Sequence, residues 1–277
     1  MKKFLAVLFS LIALQAGAKD ASTSDQPVYD RVNETNTIHC GYAPWPPNFV
    51  VDANTKKMSG IFYDLTNEVA KRLNLKVEWT EETGWSTVTE ALKTHRFDVA
   101  CSAFWVNSTR ARHVDFSTPA FYAIGNVWVS AKNKRVFKSK ADFNDPKITF
   151  SYMDGSAESK AIQMTFPKAK NLTLPELTST AEQFDGMIDG KADAVVYDDA
   201  SAADFMKARP GTIRKALTND PVAIYPTVML LPAGETKLKA MIDNTIREIQ
   251  YDGTMQAILE KNNVANLVKL PAKPYQE

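Results

Sequence analysis

The order in which apolar periodicities succeed one another constrains this chain most. Thr37 to Tyr42 reads as a short strand, and Phe62, Leu65, Val69 and Leu73 then recur at helical spacing. Leu75, Val77 and Trp79 alternate as a second strand. Trp85 to Lys93 puts Val88, Ala91 and Leu92 on one helical face, and Phe97 to Cys101 forms a third, apolar strand. Strand, helix, strand, helix, strand implies a parallel sheet with helices on its faces, because parallel neighbours need a crossover long enough to hold a helix.

The pattern restarts near residue 125. Asn126 to Ser130 alternates, Lys147 to Tyr152 is strand-like, and Ala157 to Met164 is helical. Phe184, Met187 and Ile188 share a helical face that leads into the strand Asp193 to Tyr197. Thr227 to Leu231 is a further strand, followed by a helical stripe of Leu238, Met241, Ile242, Ile246 and Ile249 and another of Met255, Ile258 and Leu259. A chain of 277 residues exceeds one compact core of ordinary size. Two α/β lobes without a Gly/Ser linker are expected, closely packed about defined hinge strands.

The N-terminus reads as an export signal. Lys2 and Lys3 precede an apolar run from Phe4 to Leu14, and Ala16-Gly17-Ala18 supplies a small-x-small cleavage pattern. That run is too short to cross a bilayer core, which needs about 20 apolar residues. Cleavage is expected after Ala18, with residues 19–35 a flexible leader and the mature chain free in the periplasm. The full chain carries 33 basic and 32 acidic side chains, +1. Removal of two lysines leaves 31 against 32, or −1, and neither value provides a field for nucleic acid.

Export permits a disulfide between the two cysteines, Cys40 and Cys101, provided that their strands are neighbours; two buried thiols are the alternative. His39, His95 and His113 are scattered, so neither a metal nor another cofactor is expected. There is no P-loop, no G-x-G-x-x-G and no G-x-S-x-G. Asp154-Gly155-Ser156 reads as a strand-to-helix turn, in which Ser156 caps a helix whose N-terminus could hold a carboxylate. Asn107 to Pro119, containing Arg110 and Arg112, follows a parallel strand, where ligands bind in open α/β sheets. The aromatic residues Tyr42, Trp45, Trp85, Phe104 and Trp105 fall at or just beyond the carboxyl ends of first-half strands and converge on one rim.

The succession Ala43-Pro44-Trp45-Pro46-Pro47, Gly60 to Leu65, Trp85 to Leu92, Arg110 to Pro119, Gly190 to Asp198 and Tyr251-Asp252-Gly253-Thr254 resembles bacterial extracellular solute-binding proteins of family 3, over roughly residues 36–265. The resemblance implies a type II periplasmic binding protein of the Venus-flytrap kind, each lobe a mainly parallel sheet flanked by helices and the two joined by two hinge crossovers. Lobe one would comprise 36–121 plus 226–270 and lobe two 127–224, with hinges near 122–126 and 223–227. It further implies a monomeric, non-enzymatic receptor that delivers a small carboxylate-bearing solute, an amino acid or related acid, to an inner-membrane ABC permease.

By position in the family's motifs, Arg110 matches the arginine that grips the ligand carboxylate and Asp198 the aspartate that grips its amino group. Ser156 matches a residue assisting the carboxylate, and Trp45 and Trp85 match aromatics flanking the ligand side chain. The chain departs from the family at Trp105 and Asn107, which stand where hydroxyl residues would contact the ligand. A tryptophan fills volume there and offers one N–H donor. Exported dehydratases of the cyclohexadienyl type share this architecture and need a general acid or base in the cleft. The resemblance puts that group just after Asp198, where Asp199, Ala200 and Ser201 provide no glutamate.

Overall fold

The structure is a computed structural model and describes residues 26–272; the expected export signal lies outside the described residues. Helix α1 (Val28–Thr35) leads into β1 (Thr37–Tyr42), a small hairpin of β2 (Val50–Val51) and β3 (Met58–Ser59), α2 (Ile61–Arg72), β4 (Lys76–Glu82), α3 (Val88–Lys93) and β5 (Val99–Trp105). After β6 (Val114–Phe116), the long β7 (Phe121–Ser130) carries the chain into the second half. There β8 (Thr149–Met153), α4 (Ala157–Thr165), β9 (Lys170–Leu174), α5 (Thr180–Ile188), β10 (Val195–Asp198), α6 (Asp199–Ala208) and β11 (Ile213–Lys215) follow. The equally long β12 (Ala223–Pro232) returns to the first half, and α7 (Thr236–Tyr251), α8 (Thr254–Lys261) and β13 (Val268–Lys269) complete it.

A continuous sheet runs in the order β10-β7-β12-β5-β1-β4. The β1–β4 and β1–β5 pairs are parallel, as the alternating pattern requires, and so is the separate β8–β9 pair. In the middle, β7 and β12 lie antiparallel with Phe121 to Gly125 opposite Thr227 to Ala223. These two strands are the links between the halves.

Four apolar clusters cover the sheets on both faces. In the first half, α2, α7 and α8 bury Leu65, Ile246 and Leu259 on one side, while α3 buries Val88 and Leu92 with Phe97 and Phe104 on the other. The second half repeats the arrangement, with Phe150, Ile162 and Phe166 beneath α4 and Phe184, Tyr197 and Phe205 beneath α5 and α6. Since β1 and β5 are neighbours, Cys40 and Cys101 come within 5.4 Å at Cα and form a disulfide.

The expectation of a flexible leader over 19–35 is corrected for its last residues, which form α1. Val28 and Val32, four apart, bury one face of α1 in the first-half core. The Glu235 carboxylate accepts from the backbone N–H groups of Val28 (2.7 Å) and Tyr29 (3.4 Å), satisfying donors that the helix start leaves free. Arg31 pairs with Asp98. Asn36, in the left-handed region at φ 50°, ends the helix and turns the chain into β1.

Candidate functional site

The ends of five strands meet between the halves. Beyond β1, the loop through Trp45 is pinned by reciprocal backbone bonds to Phe49, 2.8 and 2.9 Å long. Trp85 lies in the turn between β4 and α3, and Trp105 is the last residue of β5. Asn107 then accepts the backbone N–H of Arg110 at 2.8 Å, which fixes the start of a short 3-10 turn over Arg110–Arg112. From the second half, β8 ends at Met153 and the Asp154-Gly155 turn delivers Ser156 as the N-cap of α4. The end of β10 delivers Asp198 as the N-cap of α6.

Trp45, Trp85, Trp105, Arg110, Met153, Ala157 and Glu158 line a cavity of about 10 Å³, room for one water molecule at most. Trp45 stands edge-on to both Trp85 (5.9 Å between centroids) and Trp105 (4.9 Å). Trp105 stacks on Tyr225 of β12, with centroids 3.8 Å apart and planes within 3°. A wider groove of about 310 Å³ opens beside the cavity, shares Trp85 and Arg110 with it, and adds Asn107, His113, Ser156 and Lys160. The tight inner space means that a solute of amino-acid size must widen the cleft or displace a ring.

Arg110 is 6% exposed and has no carboxylate within salt-bridge distance among the described residues. Its Nη2 donates to the carbonyl of Trp85 at 2.6 Å and to that of Gly155, in the other half, at 3.0 Å. The guanidinium also lies 5.6 Å from the Phe104 ring centroid, within cation–π range. Burial lowers its pKa to about 10, against the opposing attraction of Glu158. Gly155 has to be glycine here: φ is +69°, and a Cβ would fall 2.8 Å from the backbone nitrogen of Ser86.

Glu158, the second residue of α4, is the acidic group in the cavity wall. It is 8% exposed, and burial raises its pKa to about 7. Bonds from its own backbone and from Ser156 act the other way, the nearby charge of Asp198 reinforces the rise, and Arg110 opposes it. Asp198 is placed differently. One of its oxygens accepts the Ser201 backbone N–H (2.9 Å) and the other the Ser201 hydroxyl (2.7 Å). The same hydroxyl receives the Trp45 indole N–H from across the cleft at 2.8 Å. Asp198 is thus tied to Ser201 and is absent from the cavity wall, and burial raises its pKa.

The site therefore unites Trp45, Trp85, Trp105 and Arg110 around one cavity and places Asn107 and Ser156 in the adjoining groove. Tyr42 stacks on Phe49 at 5.2 Å, outside both sets of walls. Sequence reasoning missed Glu158 and Tyr225. The signal for Glu158 was its place in the first turn after the Gly155-Ser156 start, on a helix aimed at the cleft. Two donors in this region, Trp105 Nε1 and the Tyr225 hydroxyl, are buried without a protein partner and would each be satisfied by an acceptor on a solute. No three His, Cys, Asp or Glu side chains cluster as metal ligands among the described residues.

Residues 38–264 match the Bacterial extracellular solute-binding proteins, family 3. The chain belongs to that family. It is 24% identical over 260 residues to the L-cystine-binding protein TcyJ of Escherichia coli (strain K12), covering 93% of this chain and 94% of that protein. Among solved structures it resembles the ancestral amino acid-binding protein AncCDT-1, a precursor of cyclohexadienyl dehydratase. That likeness has 28% identity and a TM-score of 0.74, covering 85% of this chain and 99% of the other. The solute receptor for L-cysteine of Neisseria gonorrhoeae shares the fold at TM-score 0.75 and 22% identity, covering 87% of this chain and 99% of that one. The family member described here is accordingly a two-lobed, type II periplasmic binding protein, and none of its described helices is long and apolar enough to cross a membrane.

Proposed function

We propose that this chain is the periplasmic receptor of an ABC importer and holds an amino acid or related carboxylate-bearing solute between its lobes. The observation that carries this reading is Arg110. A buried cation is costly unless paired, and the direct contacts of this one are neutral carbonyls and an aromatic face, with the Glu158 carboxyl in the same wall but beyond salt-bridge distance. A carboxylate reaching the groove would meet a fixed guanidinium fork with the Ser156 start of α4 beside it. Trp45, Trp85 and Trp105 would pack against the rest of the solute.

The lobes of this reading are 36–121 with 226–270 and 127–224, hinged at 122–126 and 223–227. The antiparallel pairing of β7 with β12 over these residues supports a two-strand hinge. Arg110 to Gly155 and Trp45 to Ser201 are contacts that only a closed cleft makes, so a bridging solute would favour the closed form. The mature chain would begin at Lys19 and act as a monomer that presents its solute to a membrane permease, without catalysis.

The test is thermal unfolding against a panel of L-amino acids, dicarboxylates and aromatic acids, because a ligand that binds only the folded chain raises the midpoint. At least one carboxylate should do so, and Arg110→Ala should abolish the shift while leaving a cooperative transition. An undiminished shift in the variant defeats the clamp.

One observation favours a second reading. A buried carboxyl with a pKa near 7 inside an aromatic cavity is a suitable general acid, so Glu158 provides what the residues after Asp198 do not. A dehydratase would protonate the ring hydroxyl of a cyclohexadienyl acid, release water and the ring carboxyl as carbon dioxide to leave an aromatic product, and lose that turnover in Glu158→Gln; the receptor reading expects no turnover.

A further inference from the structure

The cavity wall carries one cation and one acid, and they come from opposite lobes. Arg110 reaches it from the turn after β5, and Glu158 from the first turn of α4. The other walls are the three tryptophans, Met153 and Ala157. Asp198, the acid that the family resemblance assigns to the ligand's amino group, has each carboxylate oxygen bonded to Ser201 and does not line the cavity. A zwitterion held at its carboxylate by Arg110 would thus find the Glu158 carboxylate as the acid in the wall.

We infer that Glu158, rather than Asp198, receives the ammonium group of the bound amino acid. This rests on the proposed reading of the chain as a carboxylate receptor and adds to it a second, cationic determinant of the solute. The charged and titratable groups around Glu158 are Arg110 from the turn after β5, Asp198 and Tyr197 from β10, and Tyr225 from β12. Of these only Arg110 favours the ionised carboxylate. An incoming ammonium supplies a second positive charge, so Glu158 ionises and a proton leaves the site on binding.

Isothermal titration of the mature protein with L-cystine, L-cysteine, L-arginine and L-lysine, each beside its des-amino acid, tests the assignment. In Glu158→Gln, affinity for the bound amino acid should fall by about tenfold or more while that for its des-amino acid stays within about twofold. At pH 7, titration in buffers of different ionisation enthalpy should show proton release by the wild type, and none by the variant. Equal losses for both members of a pair, or an unchanged amino-acid affinity, overturn the assignment. Binding of des-amino acids but of no amino acid also overturns it, while sparing the carboxylate receptor. If none of these carboxylates binds, the assignment falls, and the carboxylate receptor falls with it only if the wider panel of amino acids, dicarboxylates and aromatic acids also gives no shift.

Discussion

Two helices begin on the same wall of the cleft, and each brings an acid to its first turn, yet the two acids serve different ends. In α6 the acid is the N-cap, Asp198, and its carboxylate folds back over the helix start to take both donors of Ser201. In α4 the N-cap is Ser156, and the acid stands two positions later, where the side chain of Glu158 projects into the cavity wall. A capping carboxylate is committed to the backbone by its position. One that enters the helix can face the cleft while still profiting from the positive end of the helix and from bonds to its own backbone and Ser156. A shift of two residues along the chain thus turns a structural acid into one that faces the site.

Titration separates the two acids most directly. The folded pKa of Glu158 is raised to about 7, above the roughly 4.3 of an unfolded glutamate, so the native state holds the extra proton between those values. Stability from this group is fully present below pH 4.3, is lost as pH rises through 7, and is flat above. The loss is on the order of 3 kcal/mol. Glu158→Gln should lack this slope, so the wild-type minus variant difference in urea-unfolding free energy should decline between pH 4.5 and 7.5. A flat difference would mean that Glu158 is hydrated like any surface acid.

Asp198 should behave as a cap. Asp198→Ala removes the acceptor of the Ser201 N–H and hydroxyl and loosens the hydroxyl that receives Trp45, at a cost of about 2 kcal/mol. Asp198→Asn keeps the cap and relieves the buried charge, so chemical denaturation should find it less than half as destabilised. If the two variants are equally damaged, the charge of Asp198 matters more than its bonding, and the contrast with Glu158 weakens.

Periodicity made most of the fold legible. The stripes of α2 and α7 are buried as their spacing demands, and the strand–helix alternation dictated the parallel pairing of β1 with β4 and β5. The three tryptophans and Arg110 were readable because each follows a strand on the edge where such sheets bind ligands. Glu158 was not, since a glutamate in a first helical turn is ordinary and its burial depends on the opposing lobe. Tyr225 stands in the sequence as a single aromatic between Ile224 and Pro226, and only the return of β12 beside β5 stacks it on Trp105. Helix α1 was hidden for a similar reason: its cap, Glu235, is 207 residues away from Val28.

Ser156 gives the smallest effect and the sharpest discrimination between the two helix starts. Its hydroxyl accepts the Ser159 N–H at a long 3.4 Å, whereas the 2.7 Å bond from the Ser159 hydroxyl goes to the Ser156 carbonyl and survives truncation. Ser156→Ala should therefore destabilise by only about 0.5 kcal/mol, the low end for a lost cap. The same hydroxyl also favours the ionised form of Glu158. Without it the Glu158 carboxyl should hold its proton more tightly, and the upper end of the pH window should move above that of the wild type. Asp198→Asn, which takes a negative charge away from the neighbourhood of Glu158, should move it downward. Opposite displacements would tie the titration to Glu158 between the two caps, while a common displacement would assign it to some other group.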